Sequence, residues 1–328
     1  MLKRRRIRRL LLIVLALGAV ALLLIGLLVF QWLKPPPPPP GPGPGPGPTT
    51  SERPGRPNAQ PADCPDVLTL VIPGTWESKA NDDPYNPTAN SRSLMLRISS
   101  QLQQKFPEAR TEVYTVPYKA QFRNPTNLAD RQADYNDSRR QGTGRASNKL
   151  KKTYEHCPLT RYVLMGFSQG AVIAGDLASN IANGRGPIAA DDQDLILGVG
   201  LIADGRRQPG GQQDVEPSPE GVGAEIALGG FGGLVPGIKM TGARSGGFGD
   251  LSDRVYSICA TGDLICDSPT VVDPIKAIGK LANAANNPVH AMYATTKYWK
   301  SDDGRSATQW MYGWASGVIS EAPRPARK

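Results

Sequence analysis

The sequence predicts an α/β fold, a parallel sheet covered by helices on both faces. Three observations carry this expectation. From about residue 63 onward, short apolar runs of strand length alternate with longer mixed segments, the pattern that produces such a sheet. Several of the longer segments repeat apolar residues at helical spacing. One apolar run, at 161–168, passes directly through Gly166-Phe167-Ser168-Gln169-Gly170 into an Ala-rich helical stretch, so a strand, a sharp turn and a helix follow one another without a linker.

The N-terminal portion is organised differently. The chain of 328 residues carries a formal charge of +9, and seven of its basic residues (Lys3, Arg4, Arg5, Arg6, Arg8, Arg9 and Lys34) fall within the first 34, where there is no acid. The rest holds 31 basic against 29 acidic residues. The basic balance therefore reports topology, and no basic stripe interleaved with aromatics marks a nucleic-acid surface. Residues 10–33 form an uncharged run of 24. As a helix it would be about 36 Å long, against a hydrocarbon core of about 30 Å. A cleaved signal peptide would carry a shorter apolar core and a small-residue cleavage site; this run ends in Phe30, Gln31, Trp32 and Leu33. The expectation is a single-pass signal anchor at 10–33, with 1–9 cytoplasmic because positive charge resists translocation. Everything after Lys34 is then outside, and secretion after cleavage is the alternative. Residues 34–61 read as a Pro/Gly-rich linker. The run at 35–48 removes backbone donors and fixes φ, so it cannot join a core and serves as a spacer of at most about 43 Å.

The folded part is expected over 62–322, with 323–328 as a tail. Residues 67–74 read as a buried strand ending in a Pro-Gly turn. Residues 91–106 read as a helix, with Leu94, Ile98 and Leu102 on one face. A second strand follows at 112–118, then an exposed basic helix at 137–156. The third strand is 161–168, and the helix after it begins at Gln169. Further strands are expected at 195–204 and 254–260, and helices at 275–283 and 308–321. A Gly-rich insertion at 205–249 interrupts this order; a loop of that length in a compact domain is functional or disordered. Its apolar stretch suits a flap over a site.

All four cysteines lie beyond the linker: Cys64, Cys157, Cys259 and Cys266. An even count outside a membrane suggests two disulfides, with three pairings open. The short spacing of Cys259 and Cys266 makes a local loop natural, which leaves Cys64 with Cys157. Paired C-x₂-C knuckles are missing, so a structural zinc site is not expected.

The chemistry starts at Ser168. A nucleophile on so sharp a turn needs neighbours without side chains, and Gly166 and Gly170 supply them. The following helix aims its partly positive N-terminus at the site, where an oxyanion would develop. The serine needs a base, and the chain has two histidines, His156 and His290. Hydrolases with this turn order their triad as serine, acid, histidine along the chain, which selects His290. The acid then lies between them. Asp263 sits in a short loop between Cys259 and Cys266, suited to holding a carboxylate in place; Asp204 and Asp267 are the rivals. The oxyanion hole is expected at the backbone N–H of Gln169 and at Thr75, after the first strand. Two histidines cannot build a His₃ zinc site, no P-loop is present, and neither a metal nor another cofactor is expected.

These motifs together (Gly74-Thr75, GFSQGA and CATGDLIC) make the region from Cys64 onward resemble the cutinase family. The resemblance covers roughly 62–322. It implies a small cutinase-like α/β-hydrolase with a five-stranded parallel core sheet, the triad Ser168, Asp263 and His290, an oxyanion hole at Thr75 and Gln169, and the disulfides Cys64–Cys157 and Cys259–Cys266. IPGTWES, YNDSR, LIADGRR and PVHAMYAT further resemble the membrane-anchored cutinase-like proteins of mycobacteria and related actinobacteria. That likeness implies phospholipase A or thioesterase activity at a lipid-rich envelope. The expected partners are therefore a lipid or acyl-ester substrate and the membrane, with no nucleic acid and no metal. An envelope acyltransferase, a carbohydrate de-esterase and a catalytically silent envelope-binding protein remain the alternatives.

Overall fold

A computed structural model describes residues 55–124, 129–229, 237–268 and 287–328. The expected anchor at 10–33, most of the linker, the helix expected at 275–283 and the middle of the apolar stretch in the insertion lie outside the described residues. Among the described residues no helix is long and apolar enough to cross a membrane.

In chain order the elements are β1 (Ala59–Gln60), β2 (Val67–Ile72), α1 (Leu94–Lys105), β3 (Thr111–Thr115), α2 (Tyr135–His156), β4 (Arg161–Phe167), α3 (Gln169–Ala182), β5 (Ile196–Ile202), β6 (Gln213–Asp214), α4 (Ala224–Ala227), β7 (Val255–Ile258), α5 (Pro288–Ala291), α6 (Ala307–Glu321) and β8 (Ala326–Arg327). The main sheet has the order β3-β2-β4-β5-β7-β6, and every pairing in it is parallel. It thus has six strands where five were expected. The sixth, β6, is two residues that pair with Tyr256 and Ser257 at the sheet's edge. They lie inside the Gly-rich insertion, too few to carry a periodic signal.

Side-chain alternation along the strands builds two cores. Leu68, Leu70, Ile72, Tyr162 and Leu164 face α2 and α3, meeting Ala146, Leu150, Ile173, Leu177 and Ile181. Val67, Val71, Val163, Met165 and Phe167 face α1 and α6, meeting Ile98, Leu102, Met311, Ala315 and Ile319. Burial on both faces is why these strands read as continuous apolar runs. Helix α1 starts at Ser93, whose side chain accepts from the Leu96 N–H. Helix α6 starts with a reciprocal cap between Ser306 and Gln309.

Two disulfides cross-link the fold, Cys64–Cys157 and Cys259–Cys266. At the amino ends of the strands the two ends of the domain meet. β1 pairs with β8 in a separate two-stranded ribbon, and Arg56 reaches Asp192 and Asp194 ahead of β5. Residues 55–61 and 323–328, read from sequence as the end of the linker and as a tail, are therefore packed against the domain.

Candidate active site

Strand β4 ends at Phe167 and α3 begins at Gln169, so Ser168 alone makes the turn. It has φ 53° and ψ −120°, a conformation that costs a residue with a side chain roughly 1–3 kcal/mol. Its N–H donates to Ile202 O at 2.9 Å and its carbonyl accepts from Val172 at 3.0 Å. The flanking glycines are sterically required. A Cβ on Gly166 would lie 2.2 Å from Gly170 O, and one on Gly170 would lie 2.1 Å from Ile72 O.

His290 meets this serine from α5. Its Nε2 is 2.9 Å from Ser168 Oγ, and its ring stacks on Phe167 with centroids 4.9 Å apart. The Nδ1 side faces Asp263, at 3.0 Å from Oδ1 and 2.8 Å from Oδ2. An ionised carboxylate only accepts, so Nδ1 carries the proton and Nε2 of the neutral ring is left to accept from the serine hydroxyl. Asn287 fixes this segment: its Oδ1 accepts from the Val289 N–H at 3.0 Å, and its Nδ2 donates to Gly262 O at 3.0 Å.

Asp263 is fully buried. Burial pushes its pKa up. The His290 charge and hydrogen bonds, the Ile265 N–H and the Tyr293 hydroxyl outweigh that and hold it below the ordinary carboxylate range. The Tyr293 O–H donates to Asp263 Oδ2 at 2.8 Å and accepts from the Ala260 N–H at 2.9 Å. Tyr293 escaped the sequence reading; its position three residues after His290 was the only available signal. Of the rival acids, Asp204 forms a two-pronged pair with Arg244, and Asp267 accepts from the Gly262 N–H at 2.8 Å. His156 lies at the surface beside Asp63, 2.9 Å away.

Thr75 and Gln169 both line the pocket that holds Ser168 and His290. The backbone N–H groups of both have no acceptor among the described residues. Glu77, also missed from sequence, braces the Thr75 loop. Its buried carboxyl accepts from the Gly74 N–H at 2.9 Å and from the Leu94 N–H. Burial pushes the Glu77 pKa up against these hydrogen bonds.

The pocket measures about 510 Å³, and its apolar lining includes Leu94, Phe122, Val172, Met240 and Ile265. The insertion supplies Ala224, Glu225 and Met240 to this wall, and buried ion pairs fasten it. Arg244 contacts Asp204 at 2.7 Å and Asp176 at 2.9 Å, and Arg206 contacts Asp176 at 2.7 Å. Glu225 accepts from Arg139 at 2.6 Å and from the Thr241 hydroxyl at 2.7 Å. Burial pushes the Glu225 pKa up, and the Arg139 charge and the surrounding hydrogen bonds more than reverse it. Among the described residues one cluster of metal-ligand types exists, Cys64, His156 and Cys157, but its two sulfurs are bonded to each other.

The sequence profile of the cutinase family matches residues 86–297. A carboxylesterase of Corynebacterium glutamicum, described as a Culp6 homolog, is 45% identical over 268 residues, covering 80% of this chain and 84% of that protein. Among solved structures, a cutinase-like protein from Cryptococcus sp. is 15% identical, with a TM-score of 0.46 over 82% of this chain and 100% of that one. The catalytic core domain of an acetyl xylan esterase from Trichoderma reesei is 21% identical, with a TM-score of 0.43 over 70% of this chain and 97% of that one. The assignment rests on the first two matches. On them, the chain belongs to the cutinase family and is a serine carboxylic ester hydrolase.

Proposed function

We propose that the chain hydrolyses lipid acyl esters or thioesters, in the manner of a phospholipase A or a thioesterase, through an acyl-enzyme on Ser168. The observation that carries this reading is the unbroken line from Ser168 Oγ through His290 to Asp263, at 2.9 Å and 2.8 Å. Ser168 Oγ attacks the acyl carbonyl carbon while its proton passes to His290 Nε2. The carbonyl oxygen becomes an oxyanion, held by the N–H groups of Thr75 and Gln169. When the tetrahedral species collapses, the bond to the leaving oxygen or sulfur breaks and that atom takes the proton from His290. Water then repeats the sequence on the acyl-enzyme, freeing the carboxylic acid and restoring Ser168. Asp263 holds the imidazole in register and stabilises its charged form.

A pocket of about 510 Å³ with a largely apolar lining supports a long acyl group over an acetyl group. The apolar run at 10–33 and the basic residues before it support a setting at a membrane surface, with the hydrolase on the extracytoplasmic side. The two disulfides fit an oxidising compartment. The test compares wild type with Ser168→Ala on a panel of acyl esters, phospholipids and acyl thioesters. Activity should fall by about 10⁴-fold or more, and labelling by a fluorophosphonate probe should vanish. A Ser168→Ala protein that kept its activity would sink the mechanism. An acetyl-only preference in wild type would sink the lipid assignment.

A further inference from the structure

We propose that Arg92 and Arg97 form an anion subsite at the mouth of the catalytic pocket, so that the preferred substrate is an acyl ester or thioester bearing a phosphate, sulfate or carboxylate group. The inference deepens the reading of Ser168 as an acyl-transferring nucleophile and rests on it.

Both arginines line the same pocket as Ser168 and His290, and both are exposed. Neither guanidinium has a hydrogen bond or ion pair among the described residues. The arginines that fasten the insertion are different. Arg139, Arg206 and Arg244 are each committed to a carboxylate within 3 Å. The two acids that line the pocket do not answer Arg92 and Arg97 either. Glu77 spends both oxygens on the backbone N–H groups of Gly74 and Leu94, and Glu225 is satisfied by Arg139, Tyr135 and Thr241. Among the described residues, no carboxylate is paired with either of these two positive charges at the cleft.

The pocket lining combines apolar surface with these two cations. Phe122, Val172, Met240 and Ile265 offer apolar surface, while Arg92 and Arg97 flank the start of α1. A ligand that satisfies both is an amphiphile with its acyl chain and its anion on one molecule. The arginine fork matches phosphate and carboxylate oxygens in two-pronged geometry. A cleft with apolar walls also focuses the field of such cations more strongly than open surface does. The exposed Trp76 at the same mouth, 45% accessible, raises the rival that the arginines seat the protein on an anionic lipid surface and do not read the substrate itself.

The test uses the full-length chain and two soluble monomeric esters with the same acyl chain, one with a phosphate on its alcohol and one neutral. Wild type should favour the phosphate ester in kcat/KM by about tenfold or more. Raising ionic strength to about 0.5 M should shrink that preference. In Arg92→Gln/Arg97→Gln the ratio of the two kcat/KM values should fall towards one. Because the ratio compares two substrates on one protein, partial misfolding does not mimic the effect. No preference in wild type, or a preference that survives the double substitution, overturns the subsite. A preference seen only with phospholipid in anionic vesicles, and not with the monomeric ester, assigns the arginines to surface binding and also overturns it. Failure of wild type to hydrolyse either ester overturns the Ser168 reading itself, a distinct result.

Discussion

Asp263 shows how closely the fold can surround a single side chain. It is buried without contact to solvent, yet three donors converge on it: the His290 Nδ1–H, the Tyr293 hydroxyl and the Ile265 N–H, all at hydrogen-bonding distance, with the imidazole's charge behind the first. Its folded pKa lies below the ordinary carboxylate value of about 3.9. A carboxylate depressed in this way stabilises the fold at pH values above its unfolded pKa, and the contribution is lost as pH falls through the folded value. The melting-temperature gap between wild type and Asp263→Asn should therefore be widest near neutrality and close below about pH 4. The same substitution should lower kcat by about 10⁴-fold through loss of the imidazole's orientation; thermal melts across pH and steady-state kinetics check the two effects. The three side chains that the fold brings together were legible because spacing announces them: Gly166 and Gly170 around Ser168, chain order for His290, and two cysteines around Asp263. Tyr293 and Glu77 were not. A lone tyrosine or glutamate in a loop has no periodicity, and its role exists only when distant segments meet, as Tyr293 meets Ala260 and Asp263 across some 30 positions.

At the scale of elements, the long strands and helices were readable because each is buried on a face that its own sequence records. The edge strand β6 left no such record, since Gln213 and Asp214 are polar and only their backbone pairs. The insertion at 205–249 is the larger departure. Its glycine content reads as loose loop, but its described parts are fastened at both ends of α4 by charged side chains. Arg244 is the centre of that fastening, with Asp204 and Asp176 on its guanidinium and Phe248 under it, 5.2 Å from the ring centroid. Asp204, next to the strand β5 and buried, was weighed as the acid of the triad and is instead the post to which the insertion is tied. Arg244→Met would leave Asp204 buried without its partner, and the expected cost is about 3–5 kcal/mol. Urea unfolding followed by circular dichroism measures it directly. A loss under about 1 kcal/mol would mean that the strap contributes little to the fold.

For the molecule as a whole, the cross-link of greatest reach is Cys64–Cys157, its ends 93 positions apart in the chain. A loop of that length restricts the unfolded chain enough to stabilise the native state by about 4–5 kcal/mol on the chain-entropy estimate. Cys259–Cys266 spans seven positions and shapes the acid's loop more than it secures the fold. Replacing Cys64 and Cys157 together by alanine should therefore shift the denaturant midpoint strongly, while the purified protein retains esterase turnover at low temperature; a midpoint unchanged from wild type would contradict the entropy argument. The pairing of β1 with β8 has a different consequence. It gathers residue 55 and residue 328 at the pole where the sheet strands begin, whereas Ser168 stands where they finish, about 20 Å further along the run of β4. A dye, a bead or an electrode grafted at residue 55 or at residue 328 would accordingly hold the enzyme by its heel, with its mouth open to the bulk solution.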